Sequence, residues 1–162
     1  MTKGNPMEAK RVNDSLTEQI QILMPSHING QDRLFGGQLV EWIDVVAAVV
    51  ARRHSGCDVT TAAIDNLQFK AGAFINNILV LIGRITYVGR TSMEVRVDTY
   101  VEDLSGMRKV VNRAYLVLVA IDEDGRPTEV PSLILETETE RAEWEAGQKR
   151  RSLRDQRRRE GY

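Results

Sequence analysis

Residues 35–56 read Phe35-Gly-Gly-Gln-Leu-Val-Glu-Trp-Ile-Asp-Val-Val-Ala-Ala-Val-Val-Ala-Arg-Arg-His-Ser-Gly56. From Gly37 to about His54 there is no proline and no interior glycine. Leu39, Val40, Trp42, Ile43, Val45, Val46 and the run from Ala47 to Ala51 place apolar side chains on nearly every face. A helix apolar all round is a buried one. At ~1.5 Å per residue, roughly eighteen residues span about 27 Å, the width of a small domain, and the run is too interrupted for a membrane span. Arg52, Arg53 and His54 bring positive charge to the negative end of the helix dipole, and Gly56 supplies a left-handed stop. At the other end, Phe35-Gly36-Gly37 leaves the first helical N–H groups uncovered, which suits an anion or a developing negative charge.

Asp44 lies two turns inside this helix, where aspartate is a poor helix former and costly to bury unpaired. Gln38, Glu41 and Asp44 follow one another at i, i+3 and i+6 and form the only polar seam. Such a seam on a core helix is expected to face a cleft or a partner subunit.

The rest of the chain reads as sheet built around this helix. Val59 to Phe69 is β-branched with small residues between, Ile78 to Val88 is a nearly continuous apolar run, Ser92 to Glu102 alternates, and Met107 to Asp122 is the longest run. Ahead of the helix, Ser15 to Met24 alternates Ile20, Ile22 and Met24 with Gln19, Gln21 and Leu23, and Pro25 ends it. Gly89-Arg90, Leu104-Ser105-Gly106 and Asp124-Gly125 supply short turns between antiparallel neighbours. Strand, long helix, then four strands is an α+β domain in which an antiparallel sheet curls around one helix. Long apolar edges are hazardous unless paired, so a homodimer that continues the sheet is expected.

Composition narrows the function classes. At 162 residues, 42% hydrophobic and 28% charged, the chain has material for one domain with a real core. Its net charge of −1 exerts no overall pull towards nucleic acid or membrane. A single cysteine, Cys57, excludes a disulfide framework within the chain, and no signal peptide or spanning run is seen, so a cytoplasmic protein is expected. His27 and His54 are the only histidines and nothing pairs them at ligand spacing, so no metal is expected. Residues 1–14 read as a flexible lead. Residues 132–162 read as a charged helical extension, with a capping box at Thr137–Glu140 and Lys149, Arg150, Arg151, Arg154, Arg157, Arg158 and Arg159 towards its end. The bland reading of this extension is a solvated, partly frayed helix on the oligomer surface; a basic end without interleaved aromatics is weak support for nucleic acid.

Asn29, then Phe35-Gly36-Gly37, then Asp44 closing Leu-Val-Glu-Trp-Ile-Asp form a spaced combination, joined by Val88-Gly-Arg-Thr-Ser-Met-Glu-Val95 and Val117-Leu-Val-Ala-Ile-Asp122. Together they resemble the hotdog-fold acyl-CoA thioesterases, the group of bacterial short-chain and mammalian cytosolic brain-type acyl-CoA hydrolases, over roughly residues 15–131. The resemblance implies hydrolysis of an acyl-CoA thioester to a free acid and CoA by a dimer-based assembly, often a trimer of dimers, with CoA entering only as part of substrate and product. It puts Asp44 on the catalytic carboxylate, Asn29 on a catalytic asparagine that looks across the dimer interface, and Gly37 where a backbone N–H faces the thioester oxygen, with the neighbouring Gly36 among the residues that bind the substrate. It also places Gly89, Arg90, Thr91 and Ser92 near the pantetheine or phosphates of CoA. Asp44 acts in this reading either as general base or as nucleophile. Asp32 departs from the glycine usual in the loop after Asn29, and Phe69-Lys-Ala-Gly72 replaces a usual Phe-x-x-Pro. A non-catalytic acyl-CoA binder and a hotdog hydratase or dehydratase stay open as alternatives, the latter disfavoured because this helix carries no histidine beside the carboxylate.

Overall fold

The computed structural model describes residues 7–162. Strands β1 (Lys10–Arg11), β2 (Thr17–Ile22), β3 (Asp58–Phe69), β4 (Ile78–Val88), β5 (Ser92–Glu102), β6 (Arg108–Ile121) and β7 (Leu133–Ile134) accompany helices α1 (Gly36–Ser55) and α2 (Glu138–Glu160). The main sheet is antiparallel, in the order β2-β4-β5-β6-β3. Its concave face wraps α1, giving the hotdog arrangement expected from the strand-helix-strand order. Leu39, Ile43, Val46, Ala47 and Val50 of α1 pack against Leu79, Leu81, Val95, Val97, Leu116 and Leu118 of the sheet to form the core. The approach is close enough that a Cβ at Gly83 would lie 2.6 Å from Val46 Cγ1.

α1 is not buried all round, as its apolar sequence led us to expect. Glu41 and Val45 are exposed and Gln38 and Asp44 half-buried, so one stripe of the helix is open. The buried stripe satisfies the core, and the apolar residues beyond it need another explanation. The helix end matches expectation: Gly56 has φ +69° and donates its N–H to Arg52 O at 2.8 Å.

Two sequence expectations are corrected at the termini. The expected flexible lead of residues 1–14 has its first six residues outside the described ones, but Lys10–Arg11 pairs in parallel with Leu133–Ile134 and Val12 is buried in the core. That ladder joins the lead to the start of the charged extension. The extension itself is a docked helix rather than a frayed one lying loose on the surface. Trp144 of α2 stacks on Tyr87, with ring centroids 4.4 Å apart. Gly147 is buried, and a Cβ there would lie 2.8 Å from Tyr87 Cβ, so only glycine lets α2 sit this low on the convex face. Leu153 is exposed on the outer side of α2.

α2 is held chiefly by charge. Glu94 and Asp98, on the outward face of β5, are each only 1% exposed. Glu94 accepts two hydrogen bonds from Arg150, at 3.0 and 2.8 Å, one from Thr86 at 2.7 Å and one from Arg154 at 3.3 Å. Asp98 accepts from Arg113 at 2.6 Å and pairs with Arg96 at 3.0 Å, and Arg96 reaches Glu143 of α2 at 3.0 Å. The Arg150 guanidinium lies 3.7 Å over the Tyr115 ring. Buried carboxylates are tolerated when paired and fully hydrogen-bonded, and Glu94 meets that condition.

Candidate functional site

Asp44 is built into the open stripe of α1. Its Oδ1 accepts a hydrogen bond of 2.7 Å from Thr61 Oγ1 on β3. The β3–β6 register shifts between Thr61 and Ala63, a bulge of the kind that re-aims a side chain. Thr61 was not singled out in the sequence, because a threonine in a strand of mixed small residues carries no local signal.

The opposite end of the helix carries the donor side. The N–H groups of Gly36 and Gly37 have no hydrogen-bond acceptor among the described residues, whereas Gln38 and Leu39 donate to Phe35 O. The Phe35 ring folds over Gly37 so closely that a Cβ at that position would lie 2.6 Å from Phe35 Cε1. Beside these glycines a cleft of about 490 Å³ is lined by Asn29, Leu34, Gly36, Leu39, Phe69 and Val111, among others.

Asn29 organises the loop before the helix. Its Oδ1 accepts from the N–H groups of Gln31 at 3.0 Å and Arg33 at 3.3 Å. The carbonyl end of the amide is thus committed to the loop, and Nδ2 is left as the end that can donate to a ligand. Asp32, standing where glycine is usual, adopts φ +57° and keeps the left-handed turn that a glycine would make, which aspartate tolerates better than most residues. His27 accepts from Met24 N–H through Nδ1 at 3.0 Å and packs edge-on to Trp42. Its role is structural.

These groups do not meet within one chain. Gly37 and Asp44 are seven residues apart on α1, about 10 Å along its axis. The Gly89–Ser92 turn is equally separate. The register Thr61–Leu118–Met93–Val88 puts three strand spacings, about 14 Å, between Thr61 and the end of β4 that leads into the turn. Gly89 N–H donates to Ser92 O, Ala120 N–H to Thr91 O, and Val130 N–H to Arg90 O, so the turn is stitched into the sheet. The Arg90 side chain projects into solvent, with Glu129 only at 3.9 Å. Arg151 of α2 lies against Gly89, where any Cβ would collide with its guanidinium. The basic helix therefore delivers a second cation to this turn. Among the described residues no three His, Cys, Asp or Glu side chains converge as metal ligands.

β3 is the open edge of the sheet on the Asp44 side. It is twelve residues long, and most of it is exposed. An edge of this length with apolar Ile64 and Phe69 exposed calls for a pairing partner.

Residues 31–106 match the family model of the thioesterase superfamily. The chain is 33% identical over 134 residues to an uncharacterized acyl-CoA thioester hydrolase of Bacillus subtilis, covering 82% of this chain and 78% of that one. Among solved structures it superposes on an apo-hexameric acyl-CoA thioesterase with a TM-score of 0.89 and 36% identity, over 93% of this chain and 97% of that one. An acyl-CoA hydrolase of Staphylococcus aureus, solved with butyryl coenzyme A, coenzyme A and coenzyme A disulfide, gives a TM-score of 0.89 and 30% identity over 94% and 93% of the two chains. The same hydrolase has been solved as three alanine variants, of an aspartate, an asparagine and a threonine.

Proposed function

The chain belongs to the thioesterase superfamily, and on that premise we propose that it hydrolyses an acyl-CoA thioester to a free carboxylic acid and CoA, at a site assembled from two subunits. The observation that carries the reading is Asp44, hydrogen-bonded by Thr61 on the open stripe of α1 beside the unpaired β3 edge. An antiparallel β3–β3 pairing about a two-fold axis brings the Phe69 end of one strand alongside the Thr61 end of its partner. The donor end of one chain, Gly36, Gly37 and Asn29, then stands opposite Asp44 and Thr61 of the other. The gap of about 10 Å within a chain becomes the reason for the dimer.

The chemistry follows from these groups. Attack on a thioester carbonyl moves negative charge onto the oxygen, and the free Gly37 N–H at the helix N-terminus stabilises that charge without reorganisation. The Asn29 Nδ2 donor holds the carbonyl or the water. Asp44 either takes the proton of an attacking water or itself attacks the carbon to form a mixed anhydride that water then opens. In both routes the C–S bond breaks, the CoA thiolate leaves and is protonated, and the acyl group departs as a carboxylic acid. Thr61 fixes the carboxylate rotamer. Neither route needs a cofactor beyond the CoA carried by the substrate. Gly89, Arg90, Thr91 and Ser92, joined by Arg151, hold the CoA portion, with the two arginines as phosphate partners. Trimers of such dimers, acting in the cytoplasm, complete the proposed assembly.

The test is thiol release from acyl-CoAs of graded chain length, comparing the purified protein with an Asp44→Ala variant of unchanged oligomeric mass. Release that disappears in the variant supports the reading. Saturable CoA binding without release in either protein leaves an acyl-CoA binder in its place, and enoyl absorbance changes without thiol would indicate a hydratase.

A further inference from the structure

His54 is a buried titratable group that the proposed chemistry leaves unused. It lies in the last turn of α1, ten residues beyond Asp44, and is fully buried. Its Nε2 is 2.8 Å from Pro131 O. A carbonyl oxygen only accepts, so Nε2 carries the proton and donates it. Nδ1 is then a bare acceptor, and no donor meets it among the described residues. Burying a polar atom without a partner costs free energy that a leucine of similar bulk would not incur. What a leucine would lack is the donor at Nε2.

The acceptor of that donor belongs to a strap, residues 127–134, that leads from the end of β6 to the β1–β7 ladder. Along it, Thr128 N–H donates to Ala120 O at 2.9 Å, Val130 N–H donates to Arg90 O at 2.9 Å, and Ser132 O accepts from Lys10 N–H at 3.0 Å. Two consecutive residues therefore join the Gly89–Ser92 turn to the end of α1, Val130 through Arg90 and Pro131 through His54. The joint is stiff. The proline ring fixes φ at residue 131, its bulk restricts residue 130 to extended conformations, and both residues are buried. A shift of Pro131 passes to Val130 N–H and so to the Arg90 carbonyl. Among the described residues that carbonyl has no other hydrogen-bond donor. Glu129, the preceding strap residue, stands 3.9 Å from the Arg90 guanidinium, so the strap touches both the backbone and the side chain of Arg90.

We infer that His54 is a positioning residue for CoA recognition: through Pro131 and Val130 it fixes the Gly89–Ser92 turn, and with it Arg90, against the phosphates of CoA. The inference rests on the proposed CoA site, not on which groups hydrolyse the thioester. It makes α1 serve both parts of the substrate, with Asp44 at the thioester and His54 holding the turn for the nucleotide portion. A hydrogen bond that only stabilised the fold would affect every substrate alike.

The test compares the full-length wild type with His54→Leu, His54→Asn, His54→Gln and Arg90→Ala, each checked for folding by near-UV circular dichroism. Leucine removes the donor. Asparagine is too short to reach Pro131 O and keeps the comparison valid should the leucine variant fail to fold, whereas glutamine returns an amide N–H to about the place of Nε2. Thiol release is followed with an acyl-CoA and with the matching acyl-pantetheine, which lacks the nucleotide phosphates. The expected result is a KM for acyl-CoA raised about 3- to 10-fold by leucine and asparagine and near wild type with glutamine, with kcat and both constants for acyl-pantetheine unchanged. Adding His54→Leu to Arg90→Ala should raise KM little further, because both act through one contact. Equal losses on both substrates, an unchanged KM for acyl-CoA in the folded leucine or asparagine variant, or fully additive effects overturn the assignment. CoA affinity, measured by titration calorimetry on the same proteins, keeps the two readings apart. Affinity that falls in His54→Leu, in a protein that releases no thiol, supports the positioning role and overturns the hydrolase. Thiol release with a CoA affinity indifferent to His54 overturns only the positioning role.

Discussion

Replacing Glu94 by alanine removes the carboxylate on which α2 is anchored. Four hydrogen bonds end on it, from Arg150 twice, Arg154 and Thr86. Arg154 keeps a second partner in Asp65 at 2.8 Å, but Arg150 keeps only Glu143 at 3.8 Å. Removing one member of a buried ion pair costs about 3–5 kcal/mol, because the other charge is left buried and unpaired. The side chains of Arg150 and Arg154 are 22% and 12% exposed and can partly turn to water, which places the expected loss at the lower end, about 3 kcal/mol. For a chain of this length that corresponds to a fall of roughly 6–12 °C in Tm. The assay is thermal and urea unfolding at fixed protein concentration, since oligomerisation makes Tm concentration-dependent. Amide exchange should show protection lost first in α2. Adding Arg150→Ala to Glu94→Ala should recover part of the loss, because the double variant no longer buries an orphaned guanidinium. A Glu94→Ala variant that loses less than about 1 kcal/mol, as an exposed pair would, with α2 protection intact, refutes the claim that charge holds this helix.

Thr61→Val keeps the shape of the side chain and deletes the hydrogen bond to Asp44. We expect kcat to fall about 10-fold or more with KM nearly unchanged, since a hydrogen bond to a charged group orients the reacting carboxylate, and an unaltered kcat would remove Thr61 from the site. His54 is fully buried, its Nε2 lying 2.8 Å from Pro131 O, and burial holds its pKa below the usual value. The unfolded chain takes up that proton from about pH 6.5 downward while the folded chain resists it. Stability should therefore be flat above that value on this account and fall as pH drops below it, and His54→Gln should flatten the urea midpoint between about pH 6.5 and 5. Arg90→Ala should raise KM for acyl-CoA several-fold while leaving kcat, and all hydrolysis of an acyl-pantetheine lacking the nucleotide phosphates, unchanged; equal effects on both substrates would place Arg90 elsewhere.

Much of the fold was legible because the signals were local. β4 and β5 have the bounds their sequences suggest, Ile78–Val88 and Ser92–Glu102, since the Gly89-Arg90 turn joins them and Asn76-Asn77 and Leu104-Ser105-Gly106 bound their outer ends. α1 was legible from its unbroken apolar run, and its end from Gly56. What escaped was long-range. Glu94, Arg96 and Asp98 alternate on β5 in the same way whether water or a helix covers them, and only the structure brings Arg150 and Arg154, about sixty residues on, to Glu94. The ladder of Lys10–Arg11 with Leu133–Ile134 is too short to leave a periodicity. Asp44 and Gly37 stood out because a carboxylate inside a core helix and a glycine pair at its start are each costly without a use, whereas Asn29 stood out only through the family resemblance. Thr61 stood out in nothing until the bulge in β3 aimed it at Asp44.

The most direct test of the two-subunit site is complementation. Asp44→Ala and Asn29→Ala are prepared separately, each expected to release almost no thiol, then unfolded together and refolded as a mixture. A dimer with one chain of each kind holds one site with both residues intact and one with neither, so random mixing should restore roughly a quarter of wild-type sites. Thiol release at about that level, absent from either variant refolded alone, is the expected result. A mixture that native mass spectrometry shows to contain mixed dimers, yet that is no more active than its components, would contradict the account and return the reacting groups to a single chain.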